Sequence, residues 1–386
     1  MAEPDLAEGV ERTGELRGPG EEADVTVAET RRGRAEAANG LAADEVAPVA
    51  RGGVVAAGAE LAAGTVATDL VRDPCPACGH EQAQILLEGS DRLYGTTDRV
   101  FQVVECQACQ LIRLYPWPTP AELRHYYPDD YWFVPEQDAV SNLEETYRRF
   151  VLRDHVNFVR KALERAGVDG PVLDVGCGGG LFLKMLAEKS RAVVGLDFAL
   201  GAADAAWNRN GVAAVCGSLT QTPFAPESFS AVTMFHVIEH LFDPVSYLEA
   251  AHRLIKPGGR LIVQVPNASC WQFLLLGENW NGVDIPRHLI NYRAHDLEIL
   301  LDRCGFEVTR TKYFSLRDNP AGLASSLAPG LDPMARRIRA VGESPRKRVA
   351  KDLLYLGLVM LSVPFTLLEA ACHAGSTVMV EARKKA

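Results

Sequence analysis

The second half of the chain alternates between two patterns of apolar and polar residues. Short apolar runs, which are typical of buried strands, are separated by stretches in which apolar residues recur at helical spacing. The predicted strands are Val172–Val175, Ala192–Leu196, Val212–Cys216, Ser230–Phe235, Arg260–Val265, Glu307–Tyr313 and Ser376–Glu381. Strands that alternate with helices predict an α/β fold, in which a parallel seven-stranded sheet carries helices on both faces.

The same patterns divide the rest of the chain. Helical spacing from Ser141 to Ala166 predicts a helix before the first strand, so the core is expected over 141–314. An insertion over 315–375 precedes the last strand and tail, 376–386. Residues 1–70 contain no aromatic side chain, which predicts a disordered tail, with a wrongly assigned translation start as the alternative. Residues 71–140 form a cysteine-rich and then aromatic segment.

A glycine-rich turn follows the first core strand and leads into a helix. Gly176, Gly178 and Gly180 are spaced as G-x-G-x-G, which lets backbone approach a ligand at the switch point of a doubly wound sheet. Asp197 ends the next strand, where a carboxylate accepts hydrogen bonds from ribose hydroxyls. Asp174, inside the first strand, would repel a pyrophosphate and favour a cationic sulfonium, so an adenosine-type sulfonium cofactor is expected.

These residues resemble the motifs of class I S-adenosylmethionine-dependent methyltransferases. The similar segments follow one another in the family's order: 174–180, 194–197, 222–230, 235–240 and 254–261. The resemblance implies S-adenosylmethionine as cofactor and a Rossmann-like sheet. It adds four residues to the expected cofactor site: Phe198, Ser218, Leu219 and Phe235. Ser218 stands where many relatives carry an aspartate that binds the adenine amino group.

Four of the nine cysteines form two C-x-x-C pairs, and they are Cys75, Cys78, Cys106 and Cys109. Four thiolates hold one tetrahedral Zn2+, so a small zinc-ribbon-like module is expected, with unligated or redox-active cysteines as the alternative. The odd cysteine count indicates a reducing compartment. Because the N-terminus lacks a basic stretch followed by an apolar run, a cytoplasmic protein is expected.

The aromatic segment after the second cysteine pair resembles the N-terminal region of zinc-containing bacterial methyltransferases that act on sugars and secondary metabolites. The similar stretches are 114–123 and 126–132. Two interpretations stay open for their aromatic side chains, which either line an acceptor pocket or fix the module to the core. These side chains are Tyr126, Tyr127, Tyr131 and Trp132.

The loop after the fifth strand, 266–292, leaves the edge of the sheet at which ligands bind. It carries His288, the predicted general base, because an imidazole with an ordinary pKa of about 6.5 accepts a proton near neutral pH. A structural loop histidine is the alternative. The segment resembles a region of sugar C-methyltransferases with a Glu-His pair, but Arg287 stands in place of the glutamate. His236 is placed near the cofactor sulfur by its motif position.

The late insertion contains several arginines and then an apolar run, Leu353–Cys372. Pro364 and Glu369 interrupt this run, so it is expected to be a poor membrane span. The interpretations of 336–372 are a lid, a homodimer surface or a helix on a membrane surface. A buried lid or dimer helix is favoured.

The net charge of −10 argues against a nucleic-acid partner, which needs a basic surface. The sequence therefore predicts methyl transfer to an oxygen or carbon of a small or carrier-linked metabolite. The alternatives are a non-catalytic S-adenosylmethionine-binding partner protein and a zinc-ribbon nucleic-acid methyltransferase.

Overall fold

The structure, a computed structural model, describes residues 70–127, 139–189 and 191–385, without the side chains of 139–144. The predicted tail, apart from Leu70, lies outside the described residues, as do Tyr131 and Trp132. These described residues belong to one compact unit.

Strands and helices alternate through the core much as the hydrophobic pattern predicts. In the described residues the strands are β1 (Leu70–Arg72), β2 (Gln82–Gly89), β3 (Phe101–Cys106), β4 (Ile112–Tyr115), β5 (Val172–Val175), β6 (Val193–Asp197), β7 (Ala214–Cys216), β8 (Phe229–Phe235), β9 (Ile255–Pro266), β10 (Ile290–Asn291), β11 (Phe306–Lys312) and β12 (Thr377–Lys384). The helices are α1 (Pro120–His125), α2 (Ala139–Ala166), α3 (Leu181–Ala187), α4 (Leu200–Asn210), α5 (Pro244–Leu254), α6 (Trp271–Leu276), α7 (Ala294–Arg303), α8 (Asn319–Leu327), α9 (Pro333–Ile338) and α10 (Pro345–Ala371). All seven predicted core strands are present, with ends shifted by a few residues.

The large sheet has the order β11-β12-β9-β8-β5-β6-β7. Strand β5 pairs in parallel with β6 on one side and with β8 on the other, so the strand order reverses beside β5. A ligand crevice is expected at the carboxyl ends of strands at such a point. The expectation of a fully parallel sheet is wrong for β12, which runs antiparallel to β9 and β11.

The antiparallel direction of β12 follows from where the insertion ends. Gly375, just before β12, lies against the carbonyl of Tyr313, which follows β11. The Asn267 side chain, beyond β9, donates to the Gly375 carbonyl over 2.9 Å. The insertion therefore leaves and re-enters the sheet at the same edge. Strand β12 consequently lies between β11 and β9 and runs in the opposite direction to both.

Both faces of the sheet are covered by helices. Successive residues of a strand point to opposite faces, so neighbouring core residues pack in different clusters. Val172 packs in a cluster with Phe158 and Leu183, on the side of α2 and α3. Its neighbour Leu173 packs in a second cluster with Leu248, on the side of α5.

A second, antiparallel sheet contains the cysteine-rich segment, in the order β1-β2-β3-β4-β10. Its fifth strand, β10, comes from the end of the loop after β9. Ile290 pairs with Arg113, and Asn291 pairs with Ile112. The small module and the core loop therefore share one sheet.

The insertion folds as α8, α9 and α10. Helix α10 runs unbroken through Pro364 and Glu369, the two residues that interrupt its apolar run. The Glu369 carboxylate is buried and accepts from the Gln272 backbone and side chain, over 3.1 and 2.8 Å. In the described chain α10 is also the one helix whose length and composition would suffice to cross a membrane.

Candidate functional site

The glycine turn after β5 forms one wall of a cavity of about 680 Å3. Gly176 adopts a φ of +73°, and a Cβ there would lie 2.8 Å from the Val237 side chain. A larger residue would therefore be strained and would clash. Gly178 also lines the cavity, but Gly180 does not. Gly180 begins α3, where a Cβ would lie 2.9 Å from that of Ala206, so this glycine allows two helices to pack closely.

The two aspartates of the turn occupy different environments. Asp197 lines the cavity, and its carboxylate accepts from the backbone N–H groups of Gly178 and Ala199, both over 2.9 Å. Asp174 is buried behind the turn and accepts from the Thr233 hydroxyl over 2.5 Å. Burial raises the pKa of Asp174 to about 7, and the nearby Asp197 charge adds to this shift. Asp174 therefore supports the turn from behind.

Phe198 and Leu219 lie in the same wall, as the resemblance implies. Ser218 is not a lining residue, because its hydroxyl is engaged with that of Tyr247 at 2.9 Å. Tyr247 lines the cavity instead and was missed by the sequence analysis. We call the residues of this side the glycine wall. Its members are Val175, Gly176, Gly178, Gly179, Leu196, Asp197, Phe198, Ala202, Gly217 and Leu219.

Other lining residues of the same cavity include several histidines and charged side chains, and we call this set the histidine wall. It combines the small module, the ends of β8 and the loop after β9, and the insertion. Its polar and aromatic members are Tyr94, Tyr127, His236, His240, Trp280, Asp284, His288, Arg317, Asp318, Ser325 and Tyr355. The predicted residues His236 and His288 therefore lie in one cavity with Asp197 and the glycine turn.

His236 lies at the end of β8 with a φ of +56°. Its Nδ1 is 3.1 Å from the Glu239 carboxylate, and its Nε2 is 2.8 Å from the Gln264 side-chain nitrogen and 3.7 Å from the Asp318 carboxylate. Burial alone would lower the pKa of His236, but the charge of Asp318 and the contact with Glu239 raise it to about 9. The carboxylates of Glu239 and Asp318 therefore favour the protonated form of this imidazole, which makes His236 a weaker candidate for the base.

His240 and His288 face each other, with ring centroids 4.7 Å apart. Nδ1 of His240 is 3.0 Å from the Arg287 carbonyl, and Nδ1 of His288 is 2.8 Å from the Gly282 carbonyl. A carbonyl can only accept, so Nδ1 is the donor atom in each ring, and the position left for a lone pair is Nε2. Burial and the neighbouring His288 lower the pKa of His240 to about 4.

Glu239 lies beneath these rings and is fully buried. Its Oε2 atom has no hydrogen-bond partner among the described residues. Ligand atoms of Glu239, His240 and His288 lie within 4.8 Å of one another, so this group has the composition of a cation site.

Arg287 does not face the cavity. It is fully buried, donates to both oxygens of Asp91 over 2.9 Å and to Asp284 over 2.7 Å, and lies 4.6 Å from the centre of the Tyr94 ring. Burial would raise the pKa of Asp91, but the bonds from Arg287 outweigh it and lower that pKa to about 2. Arg287 thus ties the small module to the loop that carries His288.

The aromatic residues of the module divide between their two predicted roles. Tyr127 lines the cavity, and its hydroxyl is 2.9 Å from Nδ1 of His240. Tyr126 is buried against Phe101, with ring centroids 6.2 Å apart, and fixes the module.

The insertion contributes side chains to the histidine wall. Tyr355 of α10 and Ser325 of α8 both line the cavity, and their hydroxyls lie 2.9 Å apart. Asp318 was missed by the sequence analysis, because its sequence neighbourhood gives no hint that it meets His236.

The four predicted metal-binding cysteines lie together at one end of the small sheet. Their Sγ atoms lie within 4.8 Å of one another, and the Cys75–Cys109 and Cys78–Cys106 pairs are each 3.6 Å apart. Thiolates around one tetrahedral Zn2+ at about 2.3 Å stand about 3.8 Å apart, so the donor set fits zinc.

Sequence comparisons agree with this geometry. A family described as a methyltransferase domain matches residues 145–311. A ubiquinone biosynthesis O-methyltransferase of Pseudomonas fluorescens is 33% identical over 182 residues, which cover 44% of this chain and 78% of that relative. The chain belongs to the methyltransferase family. The corresponding protein of Pseudomonas paraeruginosa is 36% identical over 141 residues, 34% of this methyltransferase and 60% of the relative's length.

Solved structures give a weaker likeness to this methyltransferase. An S-adenosylmethionine-dependent methyltransferase from Archaeoglobus fulgidus is 16% identical with a TM-score of 0.42, covering 64% of this chain and 100% of that one. A 1,6-didemethyltoxoflavin-N1-methyltransferase from Burkholderia thailandensis is 15% identical with a TM-score of 0.40, covering 75% and 97%. The α/β fold follows from the order and direction of the strands in the large sheet.

Proposed function

We propose that this methyltransferase transfers the methyl group of S-adenosylmethionine to an oxygen or carbon of a small or carrier-linked metabolite, in sugar or secondary-metabolite biosynthesis. The observation that carries the proposal is the single cavity that joins the glycine wall to the histidine wall. Cofactor and acceptor could therefore meet in one cavity, where alignment accelerates a direct transfer. The Pseudomonas relatives are O-methyltransferases, which supports oxygen as the acceptor atom.

The glycine wall would hold the cofactor. Asp197 has carboxylate lone pairs left to accept from ribose hydroxyls, and Gly176 and Gly178 leave room for the ligand beside the backbone. Phe198 and Leu219 offer apolar surface for the adenine. When bound, S-adenosylmethionine supplies an electrophilic methyl group.

His288 is the proposed general base. Its Nδ1–H is fixed by the Gly282 carbonyl, which leaves the Nε2 lone pair to take a proton from an acceptor hydroxyl as that oxygen attacks the methyl group. His236 is proposed as a positioning residue, since its ring lies between Glu239 and Asp318 of the insertion.

The four cysteines are proposed to hold one structural Zn2+. The cluster lies in the sheet that β10 completes, so the metal would stabilise the support of the loop around His288.

The test of the base is His288→Ala, with exposed His125→Ala as the matched control. We expect turnover to fall by about 10²- to 10⁴-fold, the usual contribution of general acid–base catalysis, while cofactor affinity measured by calorimetry stays constant. Near-normal turnover in His288→Ala, together with a collapse in His240→Ala, would assign the base to His240. Cofactor binding without transfer to any candidate acceptor would favour a non-catalytic partner protein.

A further inference from the structure

Helix α10 has the reverse of the usual amphipathic pattern. Its inner face is mostly polar and buried, with Ser362 4% exposed and Glu369 0% exposed. Its outer face is apolar and open to solvent, with Leu361 79% exposed. The outer-face residues are Val349, Leu353, Leu354, Leu356, Met360, Leu361, Leu367 and Leu368. Contiguous apolar surface of this kind marks an interaction site.

Helix α6 extends this surface. It is held to α10 by the bonds of Glu369 to Gln272 and by a ring contact between Trp271 and Phe365, whose centroids are 6.2 Å apart. Leu274 and Leu275 of α6 are 75% and 71% exposed. We call the outer face of α10 together with these two leucines the apolar face.

The apolar face has a basic end. Residues seven apart share a side of a helix, so Arg346 lies in line with Leu353 and Met360, and Lys347 with Leu354 and Leu361. Arg346, Lys347 and Arg348 are all exposed.

Negative charge is missing along this side of the helix. From Leu353 to Ala371 the sequence contains one charged residue, the buried Glu369. The two nearest acids are already paired, since Glu343 contacts Arg336 and Lys351, and Asp352 contacts Arg336.

We propose that the apolar face binds an anionic membrane surface, with α10 lying in the plane of the interface. Apolar side chains would enter the acyl boundary while the basic end meets lipid phosphates. Leu353–Ala371 would contribute a face about 28 Å long, at about 1.5 Å per residue. Spanning is disfavoured, because the polar inner face is bonded to the enzyme through Glu369 and Tyr355.

A second copy of the chain fits this face less well. Parallel pairing of two α10 helices would place like charges together at Arg346 and Lys347. Antiparallel pairing would set those charges against Leu367 and Leu368. Neither arrangement supplies a carboxylate for the basic end, whereas an anionic lipid surface does.

The test uses the full chain and sedimentation with phosphatidylcholine vesicles, with or without phosphatidylglycerol. We expect binding to the anionic vesicles, weakening as salt is raised, because surface charges are screened. Neutralising Arg346 or Lys347 with glutamine should weaken binding about fivefold each, since one such charge contributes about 1 kcal/mol.

Leu354→Gln/Leu361→Gln should abolish vesicle binding, and Ile299→Gln, an exposed position on α7, is the matched control. The altered side chains are exposed, so circular dichroism should show an unchanged fold. Absence of binding by the unaltered chain, or full binding by the double variant, would overturn the proposal. The proposal would also be overturned if light scattering showed the unaltered chain as a dimer and the double variant as a monomer, while neither protein bound vesicles. None of these readouts depends on methyl transfer, so their failure leaves the proposed activity untouched.

Discussion

The glycine wall and the histidine wall face the same cavity but are built by different means. The glycine wall comes mostly from one continuous stretch, 175–219, and uses backbone groups and small residues at the ends of parallel strands. The histidine wall combines side chains from segments as distant in sequence as Tyr94 and Tyr355. Buried ion pairs, such as that of Arg287 with Asp91, hold these segments together. A wall set by backbone geometry should tolerate damage elsewhere, whereas a wall set by long-range ion pairs should fail when any support is removed.

The largest effect is expected from Cys78→Ser, with the exposed Cys216→Ser as control. The free energy of zinc binding is also folding free energy, so the variant should lose its metal and destabilise the small sheet. The zinc content measured by elemental analysis should fall from about one ion per chain, as four thiolate ligands imply, to well below one. Calorimetry should still detect S-adenosylmethionine, because the glycine wall belongs to the other sheet. Full zinc retention would contradict the assignment, and equal loss of cofactor binding would erase the contrast between the walls.

Arg287→Ala should have the next largest effect. It removes the cationic partner of the buried Asp91 and also breaks the pair with Asp284, and loss of one member of a buried ion pair typically costs about 3–5 kcal/mol of unfolding free energy. Arg383→Ala, which breaks an exposed pair with Glu307, should cost at most about 1 kcal/mol. Urea denaturation of both variants makes the comparison. Equal small losses would mean that Arg287 does not hold the histidine wall together.

Asp197→Ala tests the glycine wall directly. Removing the carboxylate should weaken S-adenosylmethionine binding by about 1–3 kcal/mol, because ligand hydroxyls and two backbone N–H groups lose their acceptor. The control is Asp204→Ala, an exposed position on α4. Calorimetry of both variants gives the difference, and an unchanged affinity in Asp197→Ala would remove the ribose contact. No affinity for NAD is expected in any of these proteins.

The smallest effect concerns the dependence of stability on pH. The pKa of Asp91 is lowered to about 2 in the fold, below its ordinary value of 3.8. Its contribution is therefore present above the ordinary pKa and is lost as pH falls through the folded pKa. Linkage gives a loss of about 1 kcal/mol between about pH 5 and pH 3. Denaturation midpoints of the unaltered chain should fall more steeply than those of Asp91→Asn over this range, and parallel curves would exclude the ion pair as the cause.

The sequence allowed most of the fold and the glycine wall to be predicted, because their signals are local. Strand runs, the glycine spacing and Asp197 depend on neighbours a few residues away. The direction of β12 depends on contacts such as that of Asn267 with Gly375, 108 residues apart, and the pairing of His236 with Asp318 is also distant in sequence. No local pattern encodes such contacts.

Arg287 and α10 were harder for the same reason. Arg287 was seen as a departure from a family motif, but its partner Asp91 lies 196 residues earlier. In α10, Glu369 looks like an interruption until its partner Gln272 is known. Buried polar groups need such partners, and a single sequence does not name them.

Strand β10 also bears on how this protein could be recombined with its relatives. The small sheet takes its fifth strand from beyond residue 266, so a crossover placed between the cysteine segment and the core would leave that sheet one strand short. A chimera that takes the small module from one parent would also need Arg287, Ile290 and Asn291 from that parent. In such chimeras, acceptor preference should be transferred only when both separated stretches of the gene come from the same parent.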